Sequence, residues 1–191
     1  MEERRVTISR AKVAMDFPAN FMLIASMNPC PCGFFNHPEK ECTCPPGTVQ
    51  KYLNKISGPL LDRIDLHVEV TPVAFSELSN HNSKGESSIQ IRERVIVARE
   101  IQAKRYDEQS GIYANAQISS KQLREVCVLD NVSEALLKKA MERLNLSARA
   151  YDRILKVART IADLAASEKI KAEHIAEAIQ YRSLDREGWA G

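Results

Sequence analysis

The fold of the second half of the chain is set by the stretch Leu146-Ser-Ala-Arg-Ala-Tyr-Asp-Arg-Ile-Leu-Lys-Val-Ala-Arg-Thr-Ile-Ala-Asp163. Ser147 is suited to cap a helix, because its hydroxyl can accept a hydrogen bond from a free amide of the first turn. Apolar residues then recur every three or four positions, which places them on one helical face. They are Tyr151, Ile154, Leu155, Ala158, Ile161 and Ala162. The stretch therefore predicts an amphipathic helix that ends near Ala165.

Similar patterns surround this helix and predict an all-helical second half. Three of the four begin with a serine that can cap a helix, and the last shows an apolar stripe without such a cap. The predicted helices run from Ser87 or Ser88 to about Glu108, from Ser119 or Ser120 to about Cys127, from a cap at Ser133 through Leu144, and from about Lys171 to Tyr181.

The first half reads differently and contains candidate strands. Arg5–Ile8 is a short one, and Phe21–Met27 is apolar on both faces, which is typical of a buried strand in a parallel sheet. Ile64–Val70 alternates apolar and polar residues, as a half-buried or edge strand does. The fold class is therefore α/β, with a partial parallel sheet followed by helices. A few strands without further partners cannot close a doubly covered sheet, so the first half is expected either to be less well ordered or to pair its strands irregularly. The polar stretch Ser79–Gly85 is the seam, and we place the boundary between residues 80 and 81.

Composition excludes few functions. The formal net charge of +2 and the pI near 8.3 are too mild to indicate nucleic-acid binding by themselves. No apolar run approaches the ~20 residues that cross a bilayer, and no signal peptide opens the sequence, so a cytoplasmic protein without membrane contact is expected.

Four of the five cysteines lie close together, as the pairs Cys30/Cys32 and Cys42/Cys44. Zn²⁺ prefers a tetrahedron of thiolates, which two such pairs can supply. The single residue within each pair is shorter than the usual spacing, and His37 is a possible substitute ligand. Reduced thiols in a flexible loop are the alternative. A site of four cysteines would be structural, because it leaves no open position for a substrate.

Four polar residues are further candidates. Asn28 follows the predicted buried strand, where open α/β sheets bind ligands, although Asn before Pro also starts ordinary turns. Arg63 follows a Gly-Pro break and could fork onto phosphate oxygens or pair with a neighbouring aspartate. Arg149 and Arg153 lie four residues apart on the predicted central helix, where a phosphate, an acidic side chain or solvent could meet them.

Six stretches resemble the magnesium-chelatase-like AAA+ ATPases of the ComM or YifB type. They are Val6-Thr-Ile-Ser-Arg-Ala11, Phe17-Pro-Ala-Asn-Phe-Met22, Ala25-Ser-Met-Asn-Pro-Cys-Pro-Cys-Gly33, Ser57-Gly-Pro-Leu-Leu-Asp-Arg-Ile-Asp65, the Leu146–Asp163 stretch and Ala178-Ile-Gln-Tyr-Arg182. The resemblance covers nearly the whole chain and is weakest over residues 79–86. It implies the C-terminal half of an AAA+ core over residues 1–80 and a helical lid over 81–191. Neither a Gly-x-x-x-x-Gly-Lys loop nor an acidic Walker B strand occurs, so a C-terminal fragment is expected.

The resemblance also implies roles. Asn28 matches sensor 1, which orients the attacking water, and Arg63 matches the arginine finger offered to the next subunit. Arg149 matches the sensor 2 arginine, with Arg153 as a close rival. The implied cofactors are ATP and Mg²⁺ in the full-length protein, with Zn²⁺ at the cysteine cluster inferred from its chemistry.

The function implied is that of a hexameric ATPase acting on DNA as a helicase or branch-migration motor in natural transformation or recombination. A chelatase-like metal-insertion motor subunit is one alternative. A zinc-stabilised interaction module without enzymatic activity is another. The chain alone is expected to be inactive, because it lacks the phosphate cradle.

Overall fold

The structure is a computed structural model that describes residues 4–10, 13–73, 85–106 and 111–182. It has mixed α/β composition and divides into two compact units, of which the first extends to Arg63 and the second begins at Ile64. The mixture of strands and helices that the sequence predicts is confirmed. The domain boundary between residues 80 and 81 stays a prediction.

The first unit opens with an antiparallel hairpin of strands β1, Arg5–Arg10, and β2, Val13–Pro18. Val6 lies opposite Phe17 and Ile8 opposite Met15, so the alternating sequence gathers apolar side chains on one face. The hydroxyl of Thr7 donates to the carboxylate of Asp16 on the neighbouring strand, at 2.5 Å. All of these side chains are exposed, and the hairpin contributes nothing to a buried core.

The prediction of a parallel sheet is wrong for the described residues. Phe21–Met27 and Ile64–Val70 form no regular strand, and the sheet that the structure describes is antiparallel. Side chains predicted to be buried, such as Met22 and Ile24, are 83% and 81% exposed. A central strand needs hydrogen-bonded neighbours on both edges, and the described chain supplies none for these stretches.

Two short helices follow the cysteine loop. Helix α1 spans Thr48–Leu53 and helix α2 spans Gly58–Leu61. Gly47 precedes α1 with a φ of 76°, a left-handed conformation that glycine adopts without steric cost. Leu53 and Leu61 are buried and anchor the two helices.

The second unit is helical, as predicted. Its elements are α3, Ser88–Arg105; a 3₁₀ turn, Asn115–Gln117; α4, Ser120–Val126; α5, Asn131–Arg143; α6, Ala148–Leu164; and α7, Ala172–Gln180. Ser87, Ser119 and Ser147 cap α3, α4 and α6 through hydrogen bonds to backbone amides, which confirms those predicted starts.

Two details of the helical prediction are wrong. Asp130, and not Ser133, caps α5, because its carboxylate accepts the Ser133 amide at 2.8 Å and the helix begins a turn earlier. The stripe predicted on α3 is mostly uncovered: Ala98 is buried, whereas Ile91 and Val95 are 42% and 44% exposed.

Helix α6 is the centre of the helical unit. The buried residues Ile154, Leu155, Ala158 and Ala162 pack in one apolar cluster with residues from the surrounding helices, among them Leu137 of α5. The predicted apolar stripe of α6 is thereby confirmed, except that Tyr151 is 40% exposed. Cys127 also lies in this cluster, as its apolar surroundings in the sequence predict.

One polar network is buried in the same unit. The carboxylate of Asp163, which is fully buried, accepts two bonds from Arg105 at 2.5 and 2.8 Å and one from Arg159 at 3.2 Å. The Asn115 amide donates to the same carboxylate at 2.8 Å. A buried charge is tolerated only when it is paired and hydrogen-bonded, and these partners meet that condition.

Candidate metal centre and arginine sites

The four predicted cysteines come together in the first unit. One ligand atom from each of Cys30, Cys32, Cys42 and Cys44 lies within 4.8 Å of all the others. The sulfur of Cys30 is 3.3 Å from that of Cys32 and 3.8 Å from that of Cys42, and the Cys32 and Cys42 sulfurs are 3.5 Å apart. Tetrahedral zinc with Zn–S bonds of ~2.3 Å separates its sulfurs by about 3.8 Å. The spacing of the thiols therefore fits a single Zn²⁺.

A tight turn builds the first half of this cluster. The Gly33 amide donates to the Cys30 carbonyl at 3.0 Å, and Gly33 has a φ of 82°, which favours glycine. The turn directs the Phe35 amide at the Cys30 sulfur, at a distance of 3.3 Å. Amide donors of this kind stabilise a thiolate, the form in which cysteine binds a metal.

His37 does not join the cluster. Its Nδ1 accepts the backbone amides of Glu39 and Lys40, each at 3.1 Å, so this atom is occupied by the local turn. The ligand set that the described residues provide is therefore the four thiols, without the substitute histidine.

The thiols differ in acidity because backbone amides, desolvation and the neighbouring thiols act on each of them to a different extent. The backbone amide of Phe34 is the largest cause that lowers the pKa of Cys32, to about 5. The Cys32 backbone amide lowers the pKa of Cys44. Desolvation and the neighbouring thiols outweigh this effect and raise the pKa to about 12. Four thiolates this close repel one another strongly, and a divalent cation at their centre would remove that repulsion.

Asn28 lies on an exposed, irregular stretch directly before the cysteine turn. Arg63 follows α2, and its Nη1 donates to the Pro59 carbonyl at 2.7 Å, which orients the side chain along the short helix. Among the described residues, no hydrogen bond joins Asn28 to Arg63. The roles of both as sensor and finger stay predictions.

The two candidate arginines of α6 have different surroundings. Arg149 lies in the first turn and is exposed, so its guanidinium is accessible from solvent. Arg153 donates from Nη1 to the Asp65 carboxylate at 2.5 Å, and its side chain is only 14% exposed. The acidic side chain that the sequence left open as a partner is thus found for Arg153.

Sequence reasoning missed the environment of the residues around Asp65. His67, a polar residue of the alternating stretch Ile64–Val70, is only 5% exposed, and its amide donates to the Tyr181 carbonyl at 2.8 Å. Arg182, also buried, donates to the Ile64 carbonyl. We call Ile64–His67 the docked segment. The sequence showed only an arginine just after an apolar helix, and local patterns do not reveal whether such an arginine is buried or exposed.

No helix in the described ranges is both long enough and apolar enough to pass through a bilayer.

Comparison with known proteins assigns the chain to a family. The family described as magnesium chelatase, subunit ChlI, matches residues 1–78, and its C-terminal family matches residues 85–182. The sequence is 42% identical to competence protein ComM of Haemophilus influenzae and 40% identical to YifB of Salmonella typhimurium, in each case over 97% of this chain. It is 35% identical over 95% of this chain to the uncharacterised Mycobacterium tuberculosis protein Rv2897c.

The chain spans only 35% of the length of these relatives. Residues 79–84 separate the two family matches, and they lie in the polar seam of the sequence. Together with the motifs around Asn28, Arg63 and Arg149, these matches establish that the chain belongs to the magnesium-chelatase-like family that includes the ComM and YifB proteins.

Proposed function

We propose that this chain is the C-terminal part of a ring-forming AAA+ ATPase, a hexameric cytoplasmic motor that acts on DNA as a helicase or branch-migration enzyme. The observation that carries the proposal is the family match over both units, combined with the competence relative that is 42% identical. The Ser57–Asp65 motif and the start of α6 contain the arginines to which the family resemblance gives roles in ATP hydrolysis. Natural transformation and recombination are the processes that such a motor would serve.

In this proposal each site residue has one task. Asn28 orients the attacking water as sensor 1, and Arg63 is the arginine finger that neutralises charge on the phosphoryl group of the neighbouring subunit. Arg149 binds the nucleotide as sensor 2. We prefer it to Arg153 because the carboxylate of Asp65 already occupies the Arg153 guanidinium.

ATP and Mg²⁺ are the proposed cofactors of the whole protein. The sequence contains no Gly-x-x-x-x-Gly-Lys loop. We therefore propose that residues outside this chain hold the phosphates and the Mg²⁺. This chain then contributes the two sensor residues and the arginine finger of the site.

Zn²⁺ is the proposed structural metal at Cys30, Cys32, Cys42 and Cys44. Four sulfurs complete its tetrahedron, so no ligand position remains for chemistry. The metal would close the loop between the two cysteine pairs, directly after Asn28, and so fix the backbone next to the proposed sensor.

The test is the ATPase rate of the longer protein that contains this chain, with and without forked or Holliday-type DNA. We expect clear stimulation by DNA. Arg63→Ala should retain ATP binding and lower turnover by about a thousandfold or more, because it removes the finger. Arg143→Ala, an exposed arginine at the end of α5, is the matched control and should retain the wild-type rate. Unchanged turnover in Arg63→Ala would remove the finger assignment.

A chelatase-like motor subunit is the second candidate, and the family description favours it. It would hydrolyse ATP in response to a tetrapyrrole-binding partner, and DNA would have no effect.

A zinc-stabilised interaction module is the third candidate, supported by the cysteine geometry alone. It predicts zinc without any ATP hydrolysis in the longer protein.

A further inference from the structure

Three contacts hold the docked segment on the helical unit. Arg153 of α6 donates to the Asp65 carboxylate at 2.5 Å. Beyond the C-terminal end of α7, Arg182 donates to the Ile64 carbonyl, and the Tyr181 carbonyl accepts the amide of His67 at 2.8 Å. The contacts come from α6 and from the two residues just after α7, and they reach both ends of the segment, so it is held at more than one point.

Three of the side chains around these contacts are largely shielded from water, whereas that of Asp65 is partly accessible. Arg182 is 1% exposed, His67 is 5% exposed, and the Arg153 side chain is 14% exposed. Charge-assisted hydrogen bonds strengthen when water is excluded. Asp65 is the accessible member, at 47% exposure of its side chain, so it can be changed without opening the core.

The docked segment begins directly after Arg63. Two peptide units separate Arg63 from Asp65, which limits the distance between their Cα atoms to roughly 7 Å. An element that fixes Asp65 therefore also restricts where the Arg63 backbone can lie. Helix α6 carries both Arg153, which holds the segment, and Arg149, the proposed nucleotide ligand.

We propose that Arg153 is a positioning residue for ATP hydrolysis, which holds the arginine finger Arg63 in register through its ion pair with Asp65. This inference rests on the proposed function. The first turn of α6 would contact the nucleotide through Arg149. A displacement of α6 is then transmitted through Arg153 and Asp65 to Arg63, the finger that serves the neighbouring subunit. Helix α6 thereby couples the nucleotide state of one subunit to hydrolysis in the next.

The test compares variants of the longer protein for ATP turnover. Asp65→Asn and Arg153→Ala should each lower kcat about 10- to 100-fold, the size of loss expected from a misplaced catalytic group, and change the KM for ATP little. Arg153→Lys should retain an intermediate rate. The exchanged pair Asp65→Arg with Arg153→Asp should recover about tenfold over either single charge reversal, because it restores attraction between the same positions. Arg143→Ala is again the matched control.

Each outcome decides a separate point. If the exchanged pair recovers activity and Asp65→Asn melts within a few degrees of the wild type, the positioning role stands. If Arg63→Ala is inactive but Asp65→Asn and Arg153→Ala turn over at the wild-type rate, the positioning role is wrong and the ATPase remains. Equal losses in the single and exchanged variants would also overturn it. A wild-type protein that hydrolyses no ATP overturns the proposed function, and the positioning role with it.

Discussion

At the scale of single residues, the candidate metal centre consists of four cysteine sulfurs that lie within 4.8 Å of one another. The close spacing of these cysteines in the sequence already indicated such a site. The arginines were less predictable. Arg149 and Arg153 have the same local signature, and only a contact with a residue 88 positions away in sequence separates them.

Zinc content tests the cysteine site at this scale. The purified chain should contain about one equivalent of Zn²⁺, and Cys32→Ser should lose most of it, because one ligand of the tetrahedron is gone. Cys127→Ser is the matched control: Cys127 lies in the helical core, so this variant should keep its zinc even if it is less stable. Zinc-free protein that melts at the same temperature as the zinc-loaded protein would contradict a structural role.

Asp163 is the shared acceptor of the buried polar network in the helical unit. Asp163→Ala would leave Arg105 and Arg159 without their shared buried carboxylate, and breaking such a pair costs about 3–5 kcal/mol. We expect a loss of that order in urea denaturation of the chain. Glu142→Ala, an exposed acidic residue on α5, should change the free energy of unfolding by less than ~0.5 kcal/mol. A similar small change in both variants would contradict the importance of the network.

At the scale of helices and strands, local signals explain what could be predicted. A serine cap and an apolar stripe are contained within one helix, so the starts of α3, α4 and α6 followed from the sequence. A strand is defined by a partner elsewhere in the chain, and Phe21–Met27 therefore looked like a strand without forming one. The buried network around Asp163 was missed for a related reason, because charged residues on a helix usually face solvent.

The cap of α5 gives a prediction about pH. The Ser133 backbone amide is the main cause that lowers the pKa of Asp130 below its ordinary value of 3.8. A carboxyl group with a lowered pKa stabilises the fold above its ordinary pKa, and that contribution is lost as the pH falls through the lowered value. Asp130→Asn retains a cap that does not titrate.

The two proteins should therefore respond differently to acid. The urea midpoint of the wild type should exceed that of Asp130→Asn near pH 7, and this advantage should shrink below pH ~4 as the carboxylate is protonated. Urea midpoints of both proteins at several pH values between these limits test this prediction. A difference between the two proteins that is independent of pH would show that the charge of Asp130 contributes nothing to the cap.

At the scale of the whole molecule, the chain carries the sensing half of the proposed nucleotide site without a phosphate cradle. We therefore expect the purified chain to bind ATP with a dissociation constant weaker than ~1 mM, because one or two exposed arginines provide only surface charge attraction. Isothermal titration with Mg·ATP measures this directly. Micromolar binding by the chain alone would mean that the nucleotide site lies within it.

The docked segment also bears on how the second unit folds. Its contacts join residues 88 and 118 positions apart, whereas the capped helices form from neighbours in sequence. Closing such long loops carries a large entropic cost, which local helix formation avoids. The helical core can therefore assemble first, with Ile64–His67 added last. In the native protein the same segment should open without global unfolding, so the His67 amide would exchange its hydrogen sooner than amides in the middle of α6.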